Sequence, residues 1–163
     1  MEIMDNKKVL IACPIASLKQ YSINFWLEWI SLQDYPNFEI AFCVNGKDKN
    51  KLAKLLKQVE LRHRIKKDLK RIKVLRLICD KELTTIQKLV YAREKIRRYA
   101  VQKDFDYLLY LDSDTIPIRY NFIKEMINYQ KQAITGVYYY KNGKQPVIID
   151  PETRQNITIK KLE

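Results

Sequence analysis

The chain has 163 residues, 47% of them hydrophobic and 31% charged, with a formal net charge of +12. That is enough for one domain with a real core and too few for two ordinary ones, and the balance is that of a folded chain rather than a disordered one. So basic a balance predicts attraction to polyanions (nucleic acid, anionic membrane or phosphorylated small molecules), or else a lysine-rich solvated surface of the kind thermophiles favour. No apolar run approaches the roughly 20 residues needed to span a bilayer, and Met1–Asn6 carries charges of both signs without the apolar stretch of a signal peptide. Cys13, Cys43 and Cys79 each lie in or at the end of a strand-like run, so they read as reduced core thiols of a cytoplasmic protein. With His63 as the one histidine, no His/Cys zinc site can be assembled.

In chain order, Lys8–Cys13 is a first short strand, ended by Pro14. Leu18–Gln33 follows a helical pattern with two apolar stripes, Leu18, Tyr21, Phe25, Trp29 and Leu32 on one and Ile23, Trp26, Leu27 and Ile30 on the other. A helix apolar on two faces is either deeply buried or offers one face to a partner chain or oligomer. Phe38–Val44 is a second strand, closing on the turn signal Asn45-Gly46. Lys47–Arg71 is a long basic helix with Leu52, Leu55, Leu56 and Val59 inward and His63 on the same stripe. Lys73–Cys79 is a third strand.

Thr84 or Thr85 caps the next helix, which runs to about Gln102 and is expected to bury Ile86, Leu89, Val90, Ile96 and Ala100. Arg93 falls on that stripe, where a buried charge demands an anionic partner. Phe105–Leu111 is a fourth strand. An amphipathic helix near Tyr120–Lys131, a strand over Ala133–Tyr140, the hairpin-type turn Asn142-Gly143 and the apolar run Val147–Ile149 complete the chain. Strands alternating with helices predict an α/β fold: a mostly parallel central sheet with helices on both faces and a C-terminal hairpin.

The stretch with the most chemical content is Leu111-Asp112-Ser113-Asp114. In an extended backbone, residues two apart point to the same side, so Asp112 and Asp114 aim together at one spot beyond the carboxyl end of the strand. Converging carboxylates repel unless a cation sits between them. Hard, oxygen-seeking Mg²⁺ or Mn²⁺ meets that need, and such ions commonly bring substrate phosphates with them. In open α/β sheets ligands bind beyond the carboxyl strand ends. The pattern therefore predicts a metal–phosphate site.

An apolar strand, Asp112-Ser113-Asp114, then Pro117 and a short helix resembles the DxD region of GT-A fold glycosyltransferases, most closely the family-2-like branch. Ala92-Arg93 on the preceding helix is similar to that family's Ala-Arg-Asn, with Glu94 where Asn is usual. Ile134–Tyr139, containing Gly136, looks like the Gly-containing strand after the DxD. Ile11–Pro14 resembles the first-strand end that packs on the nucleotide base, and Asn45 stands where the family often has an acid reading that base. The small Lys-, Ile- and Tyr-rich chain also resembles the small glycosyltransferase type of hyperthermophilic archaeal viruses, which would place it in a host cytoplasm.

The resemblance implies one GT-A-like, Rossmann-like domain over residues 1–163. Residues 8–117 would be its nucleotide-sugar-binding half, and 118–163 a short acceptor-side part. It implies a metal-dependent transfer of a sugar from a nucleotide-sugar donor to a hydroxyl of a glycan, protein or lipid-linked acceptor. Asp114 would bind Mn²⁺ or Mg²⁺ directly; Asp112 would bind it directly or through water and reach the ribose. Ala12, Pro14, Asn45, Lys88 and Arg93 would contact base or diphosphate, though a salt bridge serves Arg93 equally well and a surface position serves Lys88 better. Asp150, with Glu152 beside it, is the candidate general base by scarcity of acids in that region, if the transfer inverts configuration.

Three other readings compete. A basic nucleic-acid-binding module would use the +12 charge but leaves the paired carboxylates unexplained, and no motif for specific nucleic-acid recognition is present. A HAD-type phosphohydrolase carries its DxD on the first strand, not after a whole α/β half. A two-metal nucleotidyl transferase needs a third carboxylate, for which only Asp106 or Asp80 is on offer.

Overall fold

The computed structural model describes residues 7–45, 49–66, 72–76, 83–117 and 119–132. Residues 1–128 form one compact unit and 129–163 another. The expected strand at 133–140, the turn at 142–143, the apolar run at 147–149 and the C-terminal hairpin they would form lie outside the described residues, as do Cys79, Asp80, Gly136, Asp150 and Glu152.

Four strands, β1 (Val9–Ala16), β2 (Phe38–Asn45), β3 (Ile72–Arg76) and β4 (Tyr107–Tyr110), form a sheet in the order β3-β2-β1-β4. Every neighbouring pair is parallel. Between the strands lie a 3₁₀ segment (Ser17–Ser22), α1 (Ile23–Ser31), α2 (Lys49–Lys66) and α3 (Thr85–Gln102), and α4 (Phe122–Asn128) follows β4. This is the doubly wound α/β architecture expected of the alternating pattern.

Successive residues of a strand point to opposite faces, and both faces of β1 and β2 are apolar, as in a sheet covered on both sides. Ile11, Cys13 and Ile15, with Ile40 and Phe42, pack against Trp26, Ile30, Leu52 and Leu56, so α1 and α2 cover one face, with Ile123 and Ile127 of α4 in the same cluster. Leu10, Ala12, Ala41 and Cys43 face Ala92, Ile96 and Ala100 of α3 on the other. The steps β1 to β2 and β2 to β3 move one way across the sheet; the step β3 to β4 moves back. Right-handed crossovers put helices of opposite travel on opposite faces, which is why, among the described helices, α3 lies opposite α1 and α2.

Pro14 does not end β1, which continues to Ala16 in register with β2. The β4 ladder stops at Ala12↔Tyr110. Lys8 and Ala12 turn their carbonyls toward the β4 side, accepting from Asp106, Tyr107 and Leu111 N–H. By alternation the Pro14 nitrogen faces that side too, where β4 has already ended. Its missing N–H costs no ladder bond.

The expected single helix over 18–33 is a 3₁₀ segment followed by α1, with Ile23, Trp26, Leu27 and Ile30 buried. Of the other stripe, Leu18 (87%), Tyr21, Phe25 (63%) and Leu32 are exposed, while Trp29 is half-buried against Phe122 and the core. On α3 the buried stripe is Ala92, Ile96 and Ala100, while Ile86, Leu89 and Val90, expected inside, are exposed. Small residues on both sides let the helix and sheet come close, and the buried contacts begin only at Ala92. The first two turns run on past the part of the sheet that α3 covers.

The N-terminus of α3 is closed by the expected threonine. Thr84 accepts from Gln87 N–H at 3.3 Å, and the Gln87 side chain accepts from Thr84 N–H at 2.9 Å, a reciprocal capping box. At the other end of the sheet Asp106 accepts from Lys8 N–H at 2.7 Å and from the Lys7 ammonium at 3.0 Å, tying the start of β1 to the start of β4. Those two donors, the backbone N–H first, hold its carboxyl below the usual range.

Two outcomes follow from these ends. Thr84→Ala should lower stability by about 1 kcal/mol in denaturant titration. A carboxyl whose pKa is depressed by folding adds stability that is present above its ordinary value and lost as pH falls through the folded one. Asp106→Ala should therefore melt below the parent near neutral pH, and the gap should close below about pH 4. A gap that persists unchanged in acid would assign the effect to something other than this carboxylate.

Candidate functional site

The strand order reverses between β1 and β4, and an open α/β sheet binds its ligands in the crevice at such a reversal. β1 passes the end of β4 and leads into the 3₁₀ segment, while β4 hands over to Leu111 and the carboxylates. Leu111 N–H donates to Ala12 O at 3.0 Å and pins that handover.

Asp112 and Asp114 do not lie on an extended strand. β4 ends at Tyr110, and Thr115 N–H donates to Asp112 O at 2.9 Å, closing a reverse turn. The in-and-out alternation survives the turn: Asp112 and Asp114 are exposed, and Ser113 between them is buried. Ser113 Oγ lies 3.1 Å from Ser22 Oγ, itself buried, which donates to Lys19 O at 2.8 Å. Two buried hydroxyls thus clamp the carboxylate turn to the 3₁₀ segment.

A cation is already seated there. The Lys19 ammonium donates to Asp114 Oδ2, which raises the lysine's pKa, with the charges of Asp114 and Asp112 adding to the hydrogen bond. Both carboxylates also act on Cys13 within β1. Burial first, and then the negative charge of Asp112, push its thiol up to about 12, and Asp114 contributes in the same direction. Cys13 and Cys43 are buried and in no disulfide, and buried cysteines are ordinarily inert rather than nucleophilic.

The donor set suits a divalent ion that arrives with phosphate. Among the described residues no group of three or more His, Cys, Asp or Glu side chains gathers into a metal cage. Two solvent-facing carboxylates are what Mg²⁺-type ions use when phosphate and water complete the shell. The lysine on Asp114 shows that a cation fits beside these carboxylates.

Of the other expected site residues, Asn45 ends β2 beside Ala16, at the carboxyl edge of the sheet. Pro14 is partly exposed, whereas Ala12 is fully buried against α3, leaving its side chain to the core. Arg93 is exposed rather than buried, because its position on α3 lies to one side of the Ala92–Ile96–Ala100 stripe. Its guanidinium sits 5.6 Å from the centre of the Tyr110 ring, and Tyr110 donates its hydroxyl to Arg93 O at 2.8 Å. A ring face, not Asp112, receives this charge. Burial raises the Tyr110 pKa, and the Arg93 charge opposes that rise. Lys88 is partly exposed on the part of α3 that precedes the buried stripe. Glu94 accepts from Arg97 and Arg98, which hold its carboxyl down to about 2.

Asp106 lies at the amino end of β4, the far end of that strand from Asp112 and Asp114, and so adds no third carboxylate to the site. Lys19 and Ser22 are the residues that sequence reasoning missed. Their one local signal is position, in the connection that leaves the first strand.

The fold has a counterpart among solved structures. A crystal structure of S. aureus TarS residues 1–349 superposes with a TM-score of 0.50 at 19% identity, over 75% of this chain and 32% of that one. The chain folds like part of TarS. A second S. aureus TarS crystal structure gives a TM-score of 0.48 at 19% identity, over 75% of this chain and 19% of that one. The chain thus spans about a third or less of these two structures. No protein-family model and no curated protein matches it.

An exposed Arg93 carries little of the fold. Arg93→Ala should leave the denaturation free energy within about 0.5 kcal/mol of the parent; a loss well above that would mean the Tyr110 contact is structural.

Proposed function

We propose that the chain is a glycosyltransferase that takes its sugar from a nucleotide-sugar donor, with a divalent cation, Mn²⁺ or Mg²⁺, at Asp112 and Asp114. The observation that carries this reading is a pair of exposed carboxylates at the reversal of a doubly wound sheet, with a cation already drawn onto one of them. TarS, which shares the fold, is a glycosyltransferase. Asp112 and Asp114 would hold the ion, which when bound supplies positive charge to the departing nucleoside diphosphate.

The chain's own residues then have distinct tasks. Pro14 and Asn45, at the carboxyl edge of the sheet, flank the crevice on the nucleoside side, and the Asn45 amide can both donate to and accept from a base edge. Arg93 and Lys88 bring positive charge along α3 toward the diphosphate, with Arg93 held over Tyr110 until an anion arrives. The acceptor would be a hydroxyl of a glycan, protein or lipid-linked sugar, deprotonated by Asp150 if configuration is inverted. The exposed stripe of Leu18, Tyr21 and Phe25 would meet a partner chain. Buried Cys13 and Cys43, neither in a disulfide, suit a reducing cytoplasm, and among the described residues no helix is long and apolar enough to cross a membrane.

The test is calorimetric titration with UDP, GDP, dTDP, CDP and ADP, each with and without Mn²⁺. One diphosphate should bind tightly and only with Mn²⁺, and Asp114→Asn should abolish that dependence without changing the melting curve. Indifference to all five, together with salt-sensitive binding of DNA or RNA, would replace the reading with a nucleic-acid-binding one.

A further inference from the structure

We infer that Lys19 is a diphosphate-binding residue held in reserve on Asp114, and that this arrangement makes the metal and the diphosphate bind cooperatively. The inference rests on the donor reading above and concerns a residue to which that reading gives no role.

Lys19 sits in the connection that leaves β1, where the sheet reverses. Its backbone is fixed to the carboxylate turn, since Ser22 Oγ donates to Lys19 O and lies beside the buried Ser113 hydroxyl. Its side chain is not fixed in the same way. The ion pair is open to water, with 46% of the Lys19 side chain and 39% of that of Asp114 exposed. Pairs so exposed add little to stability, so this one opens at small cost and is poorly explained as a fold-stabilising device. A lysine ammonium offers three donors on a flexible stem and accepts nothing. Anchored at its backbone and loose at its tip, it can swing between a carboxylate and a phosphate that lie side by side.

In the resting protein the ammonium competes with a dication for Asp114, because two cations on one carboxylate repel. An incoming diphosphate ends the competition. It gives the ammonium a new anion, frees the carboxylate and supplies further oxygen ligands to the dication. Coupling of this kind is reciprocal: what the diphosphate gains from the metal, the metal gains from the diphosphate.

The experiment measures free Mn²⁺ by electron paramagnetic resonance with the full chain, alone and with pyrophosphate as the probe, corrected for the Mn²⁺–pyrophosphate complex. Wild type should take up Mn²⁺ weakly alone and at least about tenfold more tightly with pyrophosphate, within the usual range of such couplings. Lys19→Met should bind Mn²⁺ alone a few-fold more tightly, as removal of an exposed pair allows, yet bind pyrophosphate with Mn²⁺ about tenfold more weakly. Lys19→Arg should restore the wild-type pattern, and Lys19→Gln serves as a second neutral variant should Lys19→Met fail to fold.

Wild-type Mn²⁺ affinity in both neutral variants, or undiminished pyrophosphate binding, would overturn the inference. Asp114→Asn separates the two levels. If it abolishes Mn²⁺-dependent pyrophosphate binding while the Lys19 variants behave as wild type, the donor reading stands and the role of Lys19 falls. If neither wild type nor Asp114→Asn takes up Mn²⁺ under any condition, both fall together.

Discussion

β1 and β4 share a ladder only as far as Ala12 and Tyr110, while β1 and β2 stay paired to Ala16 and Asn45. The carboxyl end of the sheet depends on that mismatch. Where β4 stops, its chain is free to turn, and the turn carries Asp112 and Asp114. Where β1 goes on, it brings the 3₁₀ segment against that turn. Pro14 fits the unpaired length, since a proline nitrogen is tolerated on a strand side with no neighbour. Had β4 run as far as β1, that length of β1 would carry ladder hydrogen bonds and the carboxylate turn would lie farther along the chain.

The polar contacts around the carboxylate turn divide between fixed and adaptable ones. Ser22 and Ser113 are buried and bonded, and a buried hydroxyl pair resists rearrangement because breaking it strands polar groups away from water. Lys19, Asp114 and Arg93 are exposed and meet partners that a ligand can displace. On the reading proposed above, a rigid frame with displaceable charges suits the binding and release of an anion, and the excess of cations over the whole chain favours an anion's approach.

Much of this architecture was legible in the sequence, because the signals are local. The alternation of strand and helix, the Thr84 cap and the Ile23–Ile30 stripe are each determined by residues within a few positions of one another. The failures share a cause in tertiary placement. Pro14 reads as a strand end because the early stop of its neighbour cannot be seen from β1. Ile86, Leu89 and Val90 read as buried because helical periodicity does not say how far the sheet beneath extends. Arg93 falls by periodicity on a stripe to which only Ala92, Ile96 and Ala100 belong. Lys19 was invisible among 31 lysines and arginines, since a contact across 95 positions in the chain singles it out.

α3 combines a strong cap with weak burial over its first two turns. The half from Ala92 onward is fastened to the sheet through side chains, whereas the half before it rests mainly on its own backbone ladder and the Thr84–Gln87 box. Cooperative opening follows buried contacts, so the amides of the first half should exchange with solvent by local fraying and those of the second only with the sheet. Lys88 therefore rides on a separately opening unit, and its reach can vary while the strands stay closed.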